Sequence, residues 1–254
     1  MTVSLETTSL IDLGEGSDAV VFLHGWCCRT GDFASQVLSL SDRCRIFVLD
    51  WQQRLIARGG DCSFSDICQD IIHAISEAGI ERPILCGHSL GGFLAAQLAF
   101  DHRMPMRGLL ILDSALPVTE KIRLLMKDVA CRLETGSWEE EYPGIESLFF
   151  TESERGEIQQ SITRGMMSQP LPVAVGLLDE ICSYDEWKSE LADINVPIHL
   201  VASEHGVVDL EAFHALIPYA TSERIKGSGH FVSVFEGEKV NRVMHDFLDR
   251  VFDS

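Results

Sequence analysis

Five stretches of the chain are almost continuously apolar: Ala19–Leu23 and residues 46–49, 83–86, 109–112 and 198–202. Apolar runs of this length are what strands covered on both faces look like. Between them, over 65–78, 93–100 and 239–252, apolar residues recur three and four positions apart, the spacing that lays one stripe along a helix. This alternation predicts an α/β domain with a mostly parallel central sheet flanked by helices. Residues 4–8 and 10–13 add candidate antiparallel edge strands before the turn-forming Gly14-Glu15-Gly16. The rhythm breaks over 117–187, where no strand-like run occurs and helical spacing over 121–133, 145–150, 154–167 and 173–182 is interrupted by Pro143, Pro170 and Pro172. A stretch of this length exceeds what one crossover connection needs. It predicts a helical lid inserted into a core made of 1–116 and 188–254.

Composition leaves this picture intact and narrows the partners. The chain has 254 residues, 46% hydrophobic and 23% charged, in the range of ordinary globular domains. A net charge of -19 repels a phosphate backbone, so nucleic acid is not an expected partner. No apolar run approaches the roughly 18 to 20 residues of a membrane span. The first ten residues carry Glu6 and no basic side chain, unlike a secretory signal, and the expected location is the cytoplasm. Eight cysteines form no C-x-x-C pair and no zinc-ligand spacing, and no G-x-G-x-x-G turn is present, so neither a metal nor an organic cofactor is expected. Cys27 and Cys28 read as buried thiols that adjoin the site described next, where one could line a pocket.

The segment Cys86-Gly87-His88-Ser89-Leu90-Gly91-Gly92 follows a buried strand and precedes a helical pattern. Taken alone, G-x-S-x-G is a short motif that an ordinary turn also satisfies. Between a strand and a helix it fits a nucleophile elbow: the glycines remove side chains where strand and helix crowd, and Ser89 projects from the strand's carboxyl end. The following helix points its amino end at the same place, where free N–H groups and the dipole favour negative charge.

With Phe22-Leu23-His24-Gly25-Trp26 closing the first buried strand, the sequence resembles the α/β-hydrolase fold superfamily along nearly its whole length. The resemblance implies an oxyanion hole made by the backbone N–H groups of Trp26 and Leu90. It also implies a general base at His230, in Lys226-Gly227-Ser228-Gly229-His230-Phe231, where flanking glycines suit a turning loop. His199, His73 and His245 fall inside predicted elements and read as structural; His24 reads as support for the oxyanion loop, and His88 stays open. The acid that orients His230 usually follows the strand 198–202 in a stretch like Gly-Glu-His-Asp, whereas this chain has Ser203-Glu204-His205-Gly206. The superfamily's other location, after the strand 109–112, holds Asp113, which is placed first, with Asp209 and Glu204 as alternatives.

That departure, together with His24-Gly25-Trp26-Cys27 and Trp51, also resembles the cofactor-free dioxygenases that open 3-hydroxy-4-quinolone rings, although Gln52-Gln53-Arg54 departs from their pattern. Three readings follow. The first is a serine hydrolase cleaving a small hydrophobic ester, thioester or lactone with Ser89, His230 and Asp113. The second is a cofactor-independent dioxygenase with His230 and Asp113 as base. The third is a non-catalytic ligand-binding protein of the same fold. Candidate substrate-contacting side chains are His24, Trp51, His88, Leu116, Phe149 and Phe150, with Trp26, Trp138 and Met167 as further apolar walls; they point to a small hydrophobic molecule. The sequence leaves the oligomeric state open.

Overall fold

The computed structural model describes residues 10–15, 18–100, 104–184 and 195–252, and the expected strand over 4–8 lies outside them. Among the described residues, one sheet contains β1 (Leu10–Leu13), β2 (Ala19–Leu23), β3 (Arg45–Leu49), β4 (Ile84–His88), β5 (Gly108–Leu112), β6 (Ile198–Ser203) and β7 (Thr221–Ile225). Their order is β1-β3-β2-β4-β5-β6-β7, with β1 antiparallel to β3 and every other pair parallel.

Period-two alternation divides each central strand between two cores. Val21, Leu23, Phe47, Leu85, Leu109 and Ile111 face one core, which packs against α2 (Trp51–Ala57), α3 (Phe64–Glu77) and α4 (Leu90–Phe100). Val20, Phe22, Ile46, Val48, Cys86, Leu110 and Leu112 face the other. That second core is closed by α1 (Ala34–Leu40) and by the last helix, α11 (Gly237–Phe252), which buries Val240, Val243, Met244, Phe247, Leu248 and Val251 along one stripe. The continuous apolar character of the strands thus follows from cover on both faces.

Two kinds of element escape the hydrophobic pattern. β7 is an edge strand, Thr221-Ser222-Glu223-Arg224-Ile225, in which only Ile225 is buried, so it offers no apolar run. Helices α1, α2, α9 (Leu210–Leu216) and α10 (Val232–Phe235) are too short to display a stripe.

Among the described residues between β5 and β6 lie the α-helices α5 (Glu120–Thr135), α6 (Trp138–Glu146), α7 (Glu157–Met167) and α8 (Leu171–Ser183). Ser137 starts α6 with a capping box: its hydroxyl accepts the Glu140 N–H while the Glu140 carboxylate accepts the Ser137 N–H. The expectation that Pro143 breaks this region is corrected, because Pro143 sits inside α6. The carbonyl its missing N–H leaves free belongs to Glu139, which is exposed, so water can satisfy it. The expected helix 145–150 is instead the end of α6 and a turn, in which the Leu148 and Phe149 N–H groups donate back to Ile145 and Glu146 carbonyls at 2.9 and 3.0 Å. No helix among the described residues is long and apolar enough to cross a membrane.

Candidate active site

Ser89 occupies the single residue between β4 and α4 and adopts φ +51°. Crowding enforces this turn: a Cβ on Gly87 would lie 2.2 Å from Gly91 O, and one on Gly91 would lie 2.0 Å from Leu23 O. Its backbone is fixed from the neighbouring strand by the Ser89 N–H, which donates to Leu112 O at 2.9 Å. Leu90 then opens α4, so its N–H has no carbonyl within the helix to donate to.

Asp113 follows β5 directly, and His230 precedes α10. The imidazole lies between them, Nε2 at 2.9 Å from Ser89 Oγ and Nδ1 at 2.7 Å from Asp113 Oδ2. The second carboxylate oxygen accepts the Ser203 N–H at 2.7 Å. Burial pushes the Asp113 carboxyl up, but the hydrogen bond and charge of His230, with the Ser203 N–H, outweigh it and hold the group below the usual carboxylate range. An ionised Asp113 can only accept, so Nδ1 carries the imidazole proton and Nε2 is left to accept from the Ser89 hydroxyl.

Gly206, where the resemblance leads one to expect the acid, has no room for a side chain: a Cβ would lie 2.0 Å from both Asp113 Oδ2 and Ser203 Oγ. The carboxylate from β5 fills the space that an acid in the β6 loop would occupy. The other two candidate acids are engaged elsewhere. Asp209 caps α9 by accepting the Ala212 N–H at 3.0 Å, and Glu204 accepts the Gly227 N–H at 2.6 Å.

In front of Ser89 and His230 opens a space of about 640 Å³, counting its solvent-exposed mouth. It is lined by Trp26, Leu90, Phe93 and Val207 on one side and by Ser114, Ala115, Val118, Ile122, Met126, Val129, Leu148, Phe149, Leu178 and Ile181 of the segment between β5 and β6 on the other. Among the described residues that line it, only His230 carries a side chain that is charged or readily ionised.

Of the residues expected to touch substrate, Phe149 lines this space, whereas His24, Trp51, His88, Leu116 and Phe150 do not. Trp51 lies under the turn after β2, stacked on His24 at 5.2 Å with its indole N–H donating to His24 O at 2.9 Å. His24 itself reaches Asp50 Oδ1 at 3.2 Å. Buried His88 donates from Nε2 to His230 O at 2.9 Å, and burial, then the neighbouring His230 charge, brings its pKa down to about 3, so it is a neutral strut. Phe150 stacks on Phe231 at 5.0 Å, and Leu116 is core. Neither Cys27 nor Cys28 lines the cavity, and burial pushes both thiols up.

Two polar residues near the site carried no signal in the sequence. Gln52 is buried in α2, where Oε1 accepts the Cys27 N–H at 3.0 Å and Nε2 donates to Gln169 Oε1 at 3.1 Å. Glu154, in the segment between β5 and β6, is buried and accepts the Gly229 N–H at 2.8 Å. A Gln at the start of a helix and a Glu in an acidic stretch read as surface until their neighbours are known.

The alpha/beta hydrolase family model matches residues 20–243 of the sequence. The chain belongs to this family. A pimeloyl-[acyl-carrier protein] methyl ester esterase of Nitrosomonas europaea is 26% identical over 218 residues, which is 82% of this chain and 82% of that protein. Among solved structures, a thermophilic esterase from Thermogutta terrifontis superposes with a TM-score of 0.80 at 18% identity, covering 95% of this chain and 93% of the other. An enol-lactonase from Burkholderia xenovorans does so with a TM-score of 0.81 at 16% identity, covering 94% and 95%. In this α/β-hydrolase, then, Ser89, Asp113 and the turn after β2 all stand at carboxyl ends of parallel strands, where the sheet delivers side chains to one edge.

Proposed function

We propose that the protein is a serine-dependent carboxylic ester hydrolase acting on a small, hydrophobic ester, thioester or lactone. The observation that carries this reading is the unbroken series Ser89 Oγ, His230 Nε2, His230 Nδ1, Asp113 Oδ2, with links of 2.9 and 2.7 Å. Ser89 attacks the carbonyl carbon while His230 takes its proton, and Asp113 holds and stabilises the imidazolium that forms. The carbonyl oxygen gains charge between the N–H groups of Trp26 and Leu90, two preorganised donors of the kind worth roughly 100- to 1000-fold in rate each. His230 then gives its proton to the departing alcohol or thiol, or to the alkoxide of an opened lactone, and a water attacks the acyl-enzyme by the same route. Val118, Ile122, Met126, Leu178 and Ile181 give the bound group an apolar, charge-free surrounding, and α5 to α8 act as a lid over it. The esterase names of the relatives support the same class.

Replacing Ser89 by Ala tests the reading. The bond-forming oxygen is lost, so turnover should fall by about a million-fold, and a fluorophosphonate should label wild-type Ser89 but label His230→Ala far more slowly. A Ser89→Ala protein that keeps more than about a hundredth of wild-type kcat on its best substrate refutes it. Measured O2 uptake with a 3-hydroxy-4-quinolone would then point to His230 and Asp113 serving as base for oxygenation.

A further inference from the structure

Glu154 is a buried carboxylate for which the hydrolytic steps have no direct use. Its carboxylate accepts three hydrogen bonds: Oε1 from the Gly229 N–H at 2.8 Å, and Oε2 from the Thr151 N–H at 2.8 Å and the Thr151 hydroxyl at 3.0 Å. Burying a carboxylate is expensive unless its oxygens are filled, and here backbone donors fill both. One of them, Gly229, is the residue before His230. The glycine at 229 follows from this contact and not from a special φ, because a Cβ there would lie 2.3 Å from Glu154 Oε2. Five residues before Glu154 in the same segment, Phe149 O accepts the His230 N–H at 2.9 Å. Residues 149–154 therefore grip the His230 loop twice through its backbone.

The far side of that loop is held by the body of the fold: the His205 N–H donates to Ser228 O at 3.0 Å, and the Ser228 hydroxyl donates to Ile225 O at 2.7 Å. Without Glu154, the Gly229 N–H loses its buried acceptor, and the loop keeps its anchors at 225–228, through Phe149 O and through His88 Nε2, which donates to His230 O at 2.9 Å. His230 must meet Ser89 and Asp113 at once, and a displacement of about 1 Å at such a group can cost on the order of 100-fold in rate.

We propose that Glu154 is a positioning residue of His230: its carboxylate, clamped by Thr151, fixes Gly229 and thereby holds the imidazole within hydrogen-bonding distance of both Ser89 and Asp113. The proposal rests on the hydrolase reading for its rate consequences, but not for the geometry of the imidazole. A carboxylate is required because both oxygens face donors. A glutamine offers one acceptor oxygen, and its NH2 group faces either the Gly229 N–H or the Thr151 N–H.

The test compares Glu154→Ala and Glu154→Gln with wild type, at a temperature where each is folded by circular dichroism. Three quantities are read: the rate constant of Ser89 phosphonylation by a fluorophosphonate, kcat and KM for p-nitrophenyl butyrate, and the downfield NMR signal of the proton between His230 Nδ1 and Asp113. Glu154→Ala should lower kcat and the phosphonylation rate together by about 10- to 100-fold, with KM changed less than about threefold and the proton signal broadened by exchange. Glu154→Gln should fall between Ala and wild type in each readout. The proposal is overturned if Glu154→Ala, or Glu154→Gln should the alanine variant not fold, keeps the wild-type phosphonylation rate and a sharp proton signal while only Tm drops. A wild type that the fluorophosphonate leaves unlabelled defeats the hydrolase reading instead, and the proton signal still decides the role of Glu154.

Discussion

If Asp113 is replaced by Ala, the His230 Nδ1–H and the Ser203 N–H each lose an acceptor at 2.7 Å, in a place with no access to water. His230 can then adopt the tautomer with its proton on Nε2, which no longer accepts from Ser89. The comparable acid substitution in a serine protease costs about 10⁴ in kcat, so a fall of about 10³- to 10⁴-fold is expected, equivalent to about 4 to 5 kcal/mol. The structure also says how to restore it. A Cβ at position 206 would fall 2.0 Å from the Asp113 Oδ2 position and 2.6 Å from its Cγ, and an aspartate oxygen two bonds beyond that Cβ returns to the Oδ2 position. Ser203 Oγ obstructs the same Cβ at 2.0 Å, so it must go as well. The φ of Gly206 is outside the left-handed region, which leaves its backbone open to a side chain. The triple variant Asp113→Ala, Ser203→Gly, Gly206→Asp should therefore regain about 100-fold or more of the lost kcat, measured with p-nitrophenyl butyrate near neutral pH. Gly206→Asp alone crowds two carboxylates into one place and should destabilise the fold by about 3 kcal/mol or more. A folded triple variant no faster than Asp113→Ala refutes the claim that Gly206 is vacant because Asp113 fills its space.

Two further outcomes follow from buried polar groups. Gln52→Leu leaves the Cys27 N–H, 3.0 Å from Gln52 Oε1, without an acceptor and loosens the oxyanion turn, so kcat should fall about 10- to 100-fold with KM within about threefold; an unchanged kcat contradicts it. His88 binds its proton near pH 6.5 when unfolded but only near pH 3 when folded, so its stabilising effect is complete above 6.5 and is lost as the pH falls towards 3. The slope is about 1.4 kcal/mol per pH unit, and urea titrations of His88→Asn should show an acid limb shallower by that amount; parallel limbs for the two proteins would exclude it.

The parts of this molecule that were legible in the sequence are those whose cause is local. Strands β2 to β6 are legible because two-sided cover demands apolar runs, and the elbow is legible because strand and helix crowd at Gly87 and Gly91. β7 is not, since one buried residue suffices at a sheet edge. Trp51 was expected at the substrate and lies instead beneath His24, because aromaticity alone does not say which side of a loop a ring supports. Asp113 was placed first because it follows the strand 109–112 and because no acid stands at 206, a negative signal to which the packing of Gly206 adds a steric one. Gln52 and Glu154 were invisible because each acts on the backbone of a residue far away in sequence: Cys27 and Gly229.

Backbone strain shows how the sheet concentrates its effort. Among the described residues, the non-glycine positions with positive φ are Cys27 at +55°, Ser89 at +51° and Asp113 at +44°. Such conformations cost on the order of 1 to 3 kcal/mol each and persist only where surrounding structure over-determines them. Each has a specific restraint on its own N–H: Gln52 Oε1 for Cys27 at 3.0 Å, Leu112 O for Ser89 at 2.9 Å and Val201 O for Asp113 at 2.8 Å. Two of these acceptors are carbonyls of the adjacent strand, so the ladder that binds β4 to β5 and β5 to β6 continues one step past the last regular pair. That extra step turns Ser89 and Asp113 out of the pleat towards His230. The third restraint is different in kind, because no strand lends a carbonyl to the turn after β2. There a glutamine side chain takes the place of the ladder, and its other end is tied to Gln169 just before α8. Of the three strained residues, only Cys27, beside the proposed oxyanion donor Trp26, is thus tied through Gln52 to the segment between β5 and β6, which makes it the most sensitive to any movement of that segment.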